Sequence, residues 1–139
     1  MKVIEIDGGH KLTGSIRVSG AKNATVALIP AAILTDEEVT ICNVPEITDT
    51  NDLCAILNTL KVDIKRASES IIINPSKMEN TEITEEFSKK LRASYYFMGA
   101  LLGKYGKAVM YFPGGCSIGA RPIDLHLKGF EALGAKVEV

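Results

Sequence analysis

Tryptophan is absent from this 139-residue chain, aromatic residues make up only 6% of it, and there are two histidines and three cysteines. Cys42, Cys54 and Cys116 are odd in number and far apart, so neither a disulfide framework nor a paired-cysteine metal site is predicted. The formal net charge is −1, from 16 basic and 17 acidic residues, which gives no reason to expect bulk binding to nucleic acid or anionic membrane. No apolar run approaches the roughly 20 residues that a membrane span requires. The start, Met1-Lys2-Val3-Ile4-Glu5-Ile6-Asp7, lacks the long apolar core of a secretory signal. Together these absences point to a globular chain with reduced thiols, cytoplasmic by default, with no nucleic-acid or membrane partner. Its apolar content of 46% and its length suffice for one domain with a core of its own.

What the chain does have is concentrated in Pro113-Gly114-Gly115-Cys116-Ser117-Ile118-Gly119-Ala120-Arg121-Pro122. An apolar, strand-like run (108–112) leads into this stretch, and a helix-like run from Ile123 to Leu133 follows it. Three glycines within six residues allow positive φ and close approach of backbone N–H groups to a ligand. Pro122 suits the first helical position, which puts Arg121 beside a helix N-terminus, where anions are favoured. Four residues lie between Cys116 and Arg121, too few for a thiol-phosphatase anion loop. The stretch reads as a reactive cysteine over an anion site.

Residues 2–6 alternate as a strand, a turn follows over 7–10, and 11–18 can form a second arm. His10 in that turn reads as solvated. A helix is predicted from Lys22 to Leu34, with Ala24, Leu28 and Ala31 on one face and Pro30 kinking or shortening it. Lys22 and Asn23 sit where the chain turns into that helix. They are either a solvated lysine beside an asparagine cap or a second anion-facing turn. A strand over 38–44, a helix over 49–60 with Leu53, Ile56, Leu57 and Leu60 facing the core, and strands over 62–65 and 70–73 come next. Cys42 and Cys54 read as packing residues. After a polar connection over 74–84, the longest helical pattern runs from Glu85 to Tyr105 with Phe87, Leu91, Tyr95, Met98 and Leu102 along one side. Gly99 within it permits close packing of a neighbouring element. Arg92 is either a surface arginine or a cation pointing into a cleft. In the last helix Ile123, Leu127, Phe130 and Leu133 fall at core spacing, Gly134 suits its C-terminal end, Asp124 its start, and His126 reads as solvated.

The order helix, strand, helix, strand occurs twice, each time closing on a Lys-Val-acid-apolar run: Lys61-Val62-Asp63-Ile64 and Lys136-Val137-Glu138-Val139. The first copy is completed by the strand at 70–73; the second stops before its counterpart. A repeat that buries its core against neighbours is poorly served by that stop, so a piece of a longer chain is expected.

Pro113 to Leu127, ending Arg121-Pro122-Ile123-Asp124-Leu125-His126-Leu127, closely resembles the catalytic loop of the UDP-N-acetylglucosamine 1-carboxyvinyltransferases. Gly20-Ala21-Lys22-Asn23-Ala24 and Leu91-Arg92-Ala93-Ser94 resemble that family's other N-terminal motifs, in the same order. The resemblance runs along essentially the whole chain and covers about the first third of a typical member. It implies an α/β fold, an inside-out α/β barrel of repeated βαβαββ units with helices inside and sheets outside, of which only part is present. Residues 1–21 would belong to the other domain, and 22–139 would form a partial enolpyruvyl transferase domain of about two units, the second incomplete.

The implied reaction moves the enolpyruvyl group of phosphoenolpyruvate to the 3-hydroxyl of UDP-N-acetylglucosamine, the first committed step of peptidoglycan synthesis. Cys116 would protonate the enolpyruvyl methylene, as a thiol with its ordinary pKa of about 8.5 can at neutral pH. Lys22 and Asn23 would contact phosphoenolpyruvate. Arg92, Arg121, Pro122, Ile123, Asp124 and Leu125 would bind the nucleotide sugar, Asp124 at the uracil edge. No metal or organic cofactor is implied. The family's deprotonating aspartate and further phosphate-binding residues fall in the remainder of the parent chain, so this polypeptide alone is expected to be inactive. Two alternatives stay open: a non-catalytic nucleotide-sugar-binding or assembly fragment, and the related 3-phosphoshikimate 1-carboxyvinyltransferase, which does not use such a thiol.

Overall fold

The helices and strands of the chain's first half close on one another before the second half begins. The computed structural model describes residues 3–112 and 122–139. In chain order it contains α1 (Lys22–Ala31), a 3-10 turn (Ala32–Leu34), β1 (Val39–Ile41), α2 (Thr48–Thr59), β2 (Asp63–Ala67), β3 (Ser70–Asn74), α3 (Glu85–Lys90), a second 3-10 turn (Arg92–Tyr95), α4 (Tyr96–Tyr105) and α5 (Asp124–Ala132). The β-branched run Ile71-Ile72-Ile73 gives β3 the central place in an antiparallel sheet of order β1-β3-β2. Val39 and Ile64 both pair with Ile73, and Ile71 and Ile73 turn inward onto the helices.

α2 presents Leu53, Ile56, Leu57 and Leu60 to the core at the expected spacing, all four fully buried. It ends at Lys61, whose φ is +60°, with Lys61 N–H donating to Asn58 O and Val62 N–H to Leu57 O, a Schellman closure. α1 behaves differently from its predicted face. Val26, Ile29 and Ile33 are buried against α2 and α4, whereas Ala24, Leu28 and Ala31 are exposed. Leu28, Ala31 and Leu34 instead line an open groove of about 640 Å³ beside the edge strand β1. Cys42, expected to pack, is exposed at the end of that strand; Cys54 packs at the core's margin. The α-helix stops one residue after Pro30 and tightens into the 3-10 turn.

The long helix expected over 85–105 is broken. In a continuous helix the Ser88 carbonyl would accept the N–H of Arg92; here it accepts the Ser94 hydroxyl at 3.3 Å, while Leu91 turns extended (φ −128°, ψ 115°) and is buried. Side-chain hydroxyls thus replace backbone donors, and the helix restarts with Phe97 and Leu101 fully buried. A Cβ at Gly99 would come within van der Waals contact of Phe130 on α5. The Lys104 ammonium, near the end of α4, donates to Thr35 O at 2.8 Å and Asp36 Oδ1 at 2.7 Å, joining the second half to the first.

The strands expected over 2–6, 11–18, 108–112 and 136–139 do not form among the described residues. Residues 3–18 are exposed and lie outside any strand. The run at 108–112 is reduced to a single parallel bridge, Ile83 to Met110. Residues 136–139 are unpaired, and Val139 is 99% exposed. For the two runs of the second half the reason is shared: in the first half β3 pairs on both sides, and no described residue plays that part in the second. α5 also starts later than expected, at Asp124, with Ile123 as its N-cap and Pro122 outside it. Ile123 is buried, Leu127 and Phe130 are half-buried, and Leu133 is 88% exposed. Gly134 closes α5 as expected, with φ +96°, donating to Glu131 O while Ala135 donates to Phe130 O.

Candidate functional site

Gly20 is where the site begins. A Cβ there would lie 1.6 Å from the Asn43 carbonyl oxygen, so only glycine lets the entering chain touch the loop before α2. That loop is fixed in turn by Val44 N–H donating to Glu69 O at 2.7 Å and the buried Thr50 hydroxyl donating to Pro45 O at 3.2 Å. The chain therefore enters α1 directly beside the first turn of α2. Lys22 is the first residue of α1, and its ammonium meets the Asp49 carboxylate at 2.7 Å. Asn23 is exposed beside it, and its side chain does not cap the helix. The first intrahelical bond of α1 runs from Thr25 N–H to Ala21 O, leaving the earlier N–H groups without helical acceptors. A cation, an amide and free donors share this junction.

Arg92 opens the 3-10 turn created by the helix break. It is half-buried, its Nε is buried without a hydrogen-bond partner, and its guanidinium carbon lies 5.7 Å from the centre of the Tyr95 ring. Tyr95 stacks on Tyr96 at 4.5 Å and approaches His126 of α5 at 4.9 Å. Its phenol is pushed up from the ordinary value by the hydrogen bond with Tyr96 and by burial, against a downward pull from Arg92. This aromatic contact brings Arg92 to the helix that carries Asp124 and Leu125. Asp124, in the first turn of α5, and Leu125 are exposed; Ile123 is buried and anchors the helix.

One turn further along α2, Asp52 is 8% exposed and its carboxylate holds the Lys90 ammonium at 2.8 Å, two residues before Arg92. That hydrogen bond raises the Lys90 pKa above its ordinary value. Lys22 and Arg92 are not brought into contact with each other; the segments that carry them are each tied to α2. Asp49, Asp52 and Tyr95 were not singled out from sequence as site residues. Their signal was present only as two acids three apart at a helix start and an aromatic three residues after an arginine.

Cys116 and Arg121 lie outside the described residues. The run leading to them is held at Met110 by the bridge to Ile83, and Glu82 raises the pKa of Tyr111. Among the described residues no group of three or more His, Cys, Asp or Glu could hold a metal ion. No helix there is long and apolar enough to cross a membrane.

Helices packed against a small antiparallel sheet make this a piece of an enolpyruvyl transferase fold. The crystal structure of the enolpyruvyl transferase NikO from Streptomyces tendae matches it with a TM-score of 0.63 at 27% identity, covering 71% of this chain and 23% of that one. Residues 6–139 match the EPSP synthase (3-phosphoshikimate 1-carboxyvinyltransferase) family, and the chain belongs to that family. It is 55% identical over 137 residues to UDP-N-acetylglucosamine 1-carboxyvinyltransferase 2 of Oceanobacillus iheyensis, 99% of this chain and 32% of that protein. It is 52% identical over 132 residues to the enzyme of the same name from Listeria monocytogenes, 95% of this chain and 31% of that protein. It is 51% identical over 137 residues to UDP-N-acetylglucosamine 1-carboxyvinyltransferase 1 of Streptococcus agalactiae, 99% of this chain and 33% of that protein. The chain spans about a third of the length of these curated relatives.

Proposed function

We propose that this chain is the first part of an enzyme that transfers the enolpyruvyl group of phosphoenolpyruvate to the 3-hydroxyl of UDP-N-acetylglucosamine, in the cytoplasm, at the entry to peptidoglycan synthesis, and so serves cell shape and division. The observation that carries this reading is the identity of 50–55% to relatives bearing that name along nearly all of the chain. The Cys116 loop favours it over the 3-phosphoshikimate reaction.

In this reaction the sugar oxygen bonds to C2 of phosphoenolpyruvate while C3 takes a proton. Loss of that carbon's proton then expels phosphate and restores the double bond. Cys116 is the proton donor. Lys22 and Asn23 hold the phosphoenolpyruvate anion at the start of α1, where an ammonium and unpaired N–H groups converge. Arg92 and the run from Arg121 to Leu125 hold the nucleotide sugar, with Asp124 on the uracil edge. The buried, unpartnered Nε of Arg92 supports a ligand at that turn. Residues 1–21 belong to a second domain built by the rest of the protein, a role that fits the 79–93% exposure of Val3, Ile4, Ile6, Leu12, Ile16 and Val18.

Mass spectrometry after incubation with the epoxide fosfomycin tests the reading, with and without UDP-N-acetylglucosamine. A single adduct on Cys116, formed faster with the nucleotide sugar, is expected. Cys42 is exposed, and burial pushes the Cys54 thiol up against the opposing pull of Arg66. Preferential labelling of Cys42, or a Cys116 rate indifferent to the nucleotide sugar, would refute the assignment.

A further inference from the structure

Lys22 does not reach its place alone. Its side chain is 56% exposed, so little packing confines it, yet its ammonium lies 2.7 Å from Asp49 Oδ2. Asp49 is better fixed, with its side chain 27% exposed. It lies in the first turn of α2, where the helix dipole favours a carboxylate. Its neighbour Thr50 is buried and hydrogen-bonded to Pro45 O, in the same loop that Gly20 touches. One rigid junction therefore sets the positions of both partners.

We propose that Asp49 is a positioning residue for the anion site: its carboxylate holds the Lys22 ammonium at the mouth of α1, so that an incoming phosphate or carboxylate meets a cation already in place. This rests on the functional reading above and adds a residue to it. Two effects of Asp49 oppose each other. Its charge repels an anionic ligand, and its oxygen removes rotamer freedom that a free lysine would lose on binding. The ligand meets the ammonium directly and Asp49 only from behind it, so the repulsion acts over the longer distance while the ordering of Lys22 persists, and positioning wins. Asparagine keeps the acceptor oxygen without the charge, and this separates the two.

The test is phosphoenolpyruvate binding by calorimetry, in the presence of UDP-N-acetylglucosamine, using the full-length protein that contains this segment with Cys116→Ala throughout to block turnover. Asp49→Ala is expected to weaken binding by about 5-fold or more, the size of a typical contact-pair coupling. Asp49→Asn should stay within about 2-fold of the parent, less than a bond of this kind supplies. In a Lys22→Gln background Asp49→Ala should change nothing further, because the group it acts through is gone. Affinity for UDP-N-acetylglucosamine should be unaltered throughout, which a merely structural defect would not allow. If Asp49→Ala does not fold, Asp49→Ser, too short to reach the ammonium, is read in its place. Equal or tighter phosphoenolpyruvate binding by both the Ala and Asn variants means that charge dominates and overturns the proposal. A parent protein that binds no phosphoenolpyruvate refutes the functional reading and this inference with it; a parent that binds while Asp49→Ala binds equally well overturns this inference only.

Discussion

A methyl group at Gly20 has nowhere to go. The atom it would strike is a backbone oxygen of Asn43, itself held at a φ of +55°, and not the yielding end of a side chain. Gly20→Ala is expected to cost about 1–3 kcal/mol or more, as overpacking does, read as a fall in the urea midpoint at unchanged slope. The same substitution should weaken any ligand held by Lys22, since it moves the start of α1. At this scale the sequence was partly legible. Lys22, Asn23 and Arg92 were each left with two readings by their own residue types and gained a role from the motifs that resemble the family's. Asp49 and Asp52 did not, because an acid near a helix N-terminus is ordinary, and only the fold says which cation it faces.

Between residues and the whole, helices and strands were legible where they satisfy themselves and illegible where they need a partner. α2 emerged with its four core residues as predicted, since its apolar spacing and its C-terminal closure are both local. The break at Leu91 was hidden because it depends on Ser94 capturing the Ser88 carbonyl, a preference that apolar periodicity does not register. The strands expected at 2–6, 108–112 and 136–139 were read from composition, and a strand without a neighbour is only extended chain. α3 is pinned across this break by the ion pair of Lys90 with Asp52. Lys90 has its pKa raised by that partner, so the folded state binds the proton more tightly than the unfolded chain. The stabilisation is fully present below the ordinary lysine value of 10.5 and is lost as pH rises through the higher folded value. Lys90→Met should therefore lower the urea midpoint at pH 7 to 9 (roughly neutral to mildly basic, well below lysine's ordinary range). The gap from the parent should close only in more alkaline solution. A gap that narrowed towards acid, across the neutral range, would contradict the pairing.

One core serves both halves of the molecule. Phe97 and Leu101 of α4 are fully buried in the same cluster as Ile29, Ile33, Leu53 and Ile71, and Lys104 fastens α4 to the turn after α1. Phe97→Ala is expected to cost about 3–5 kcal/mol, a large share of the stability of a domain this size. Helix and sheet signals should then be lost together in one transition at lower urea. Separate transitions for the two halves would show that the core is not shared. The α/β class was legible in the sequence, from the helix and strand patterns of the first half. The groove along β1 and the reversed face of α1 were not, because they follow from which helix packs against which.

The sheet is closed by Asn74, and both helices of the first half precede it. On the ribosome that half is finished well before α4 has been made. The surface of α1 that Phe97 and Leu101 will cover then stays wet while about 30 further residues are added, a matter of roughly 2–6 seconds at translation speed. In that interval the nascent chain offers Val26, Ile29 and Ile33 to any holdase nearby. Slowing elongation between β3 and α4 would lengthen the exposure without changing the final structure.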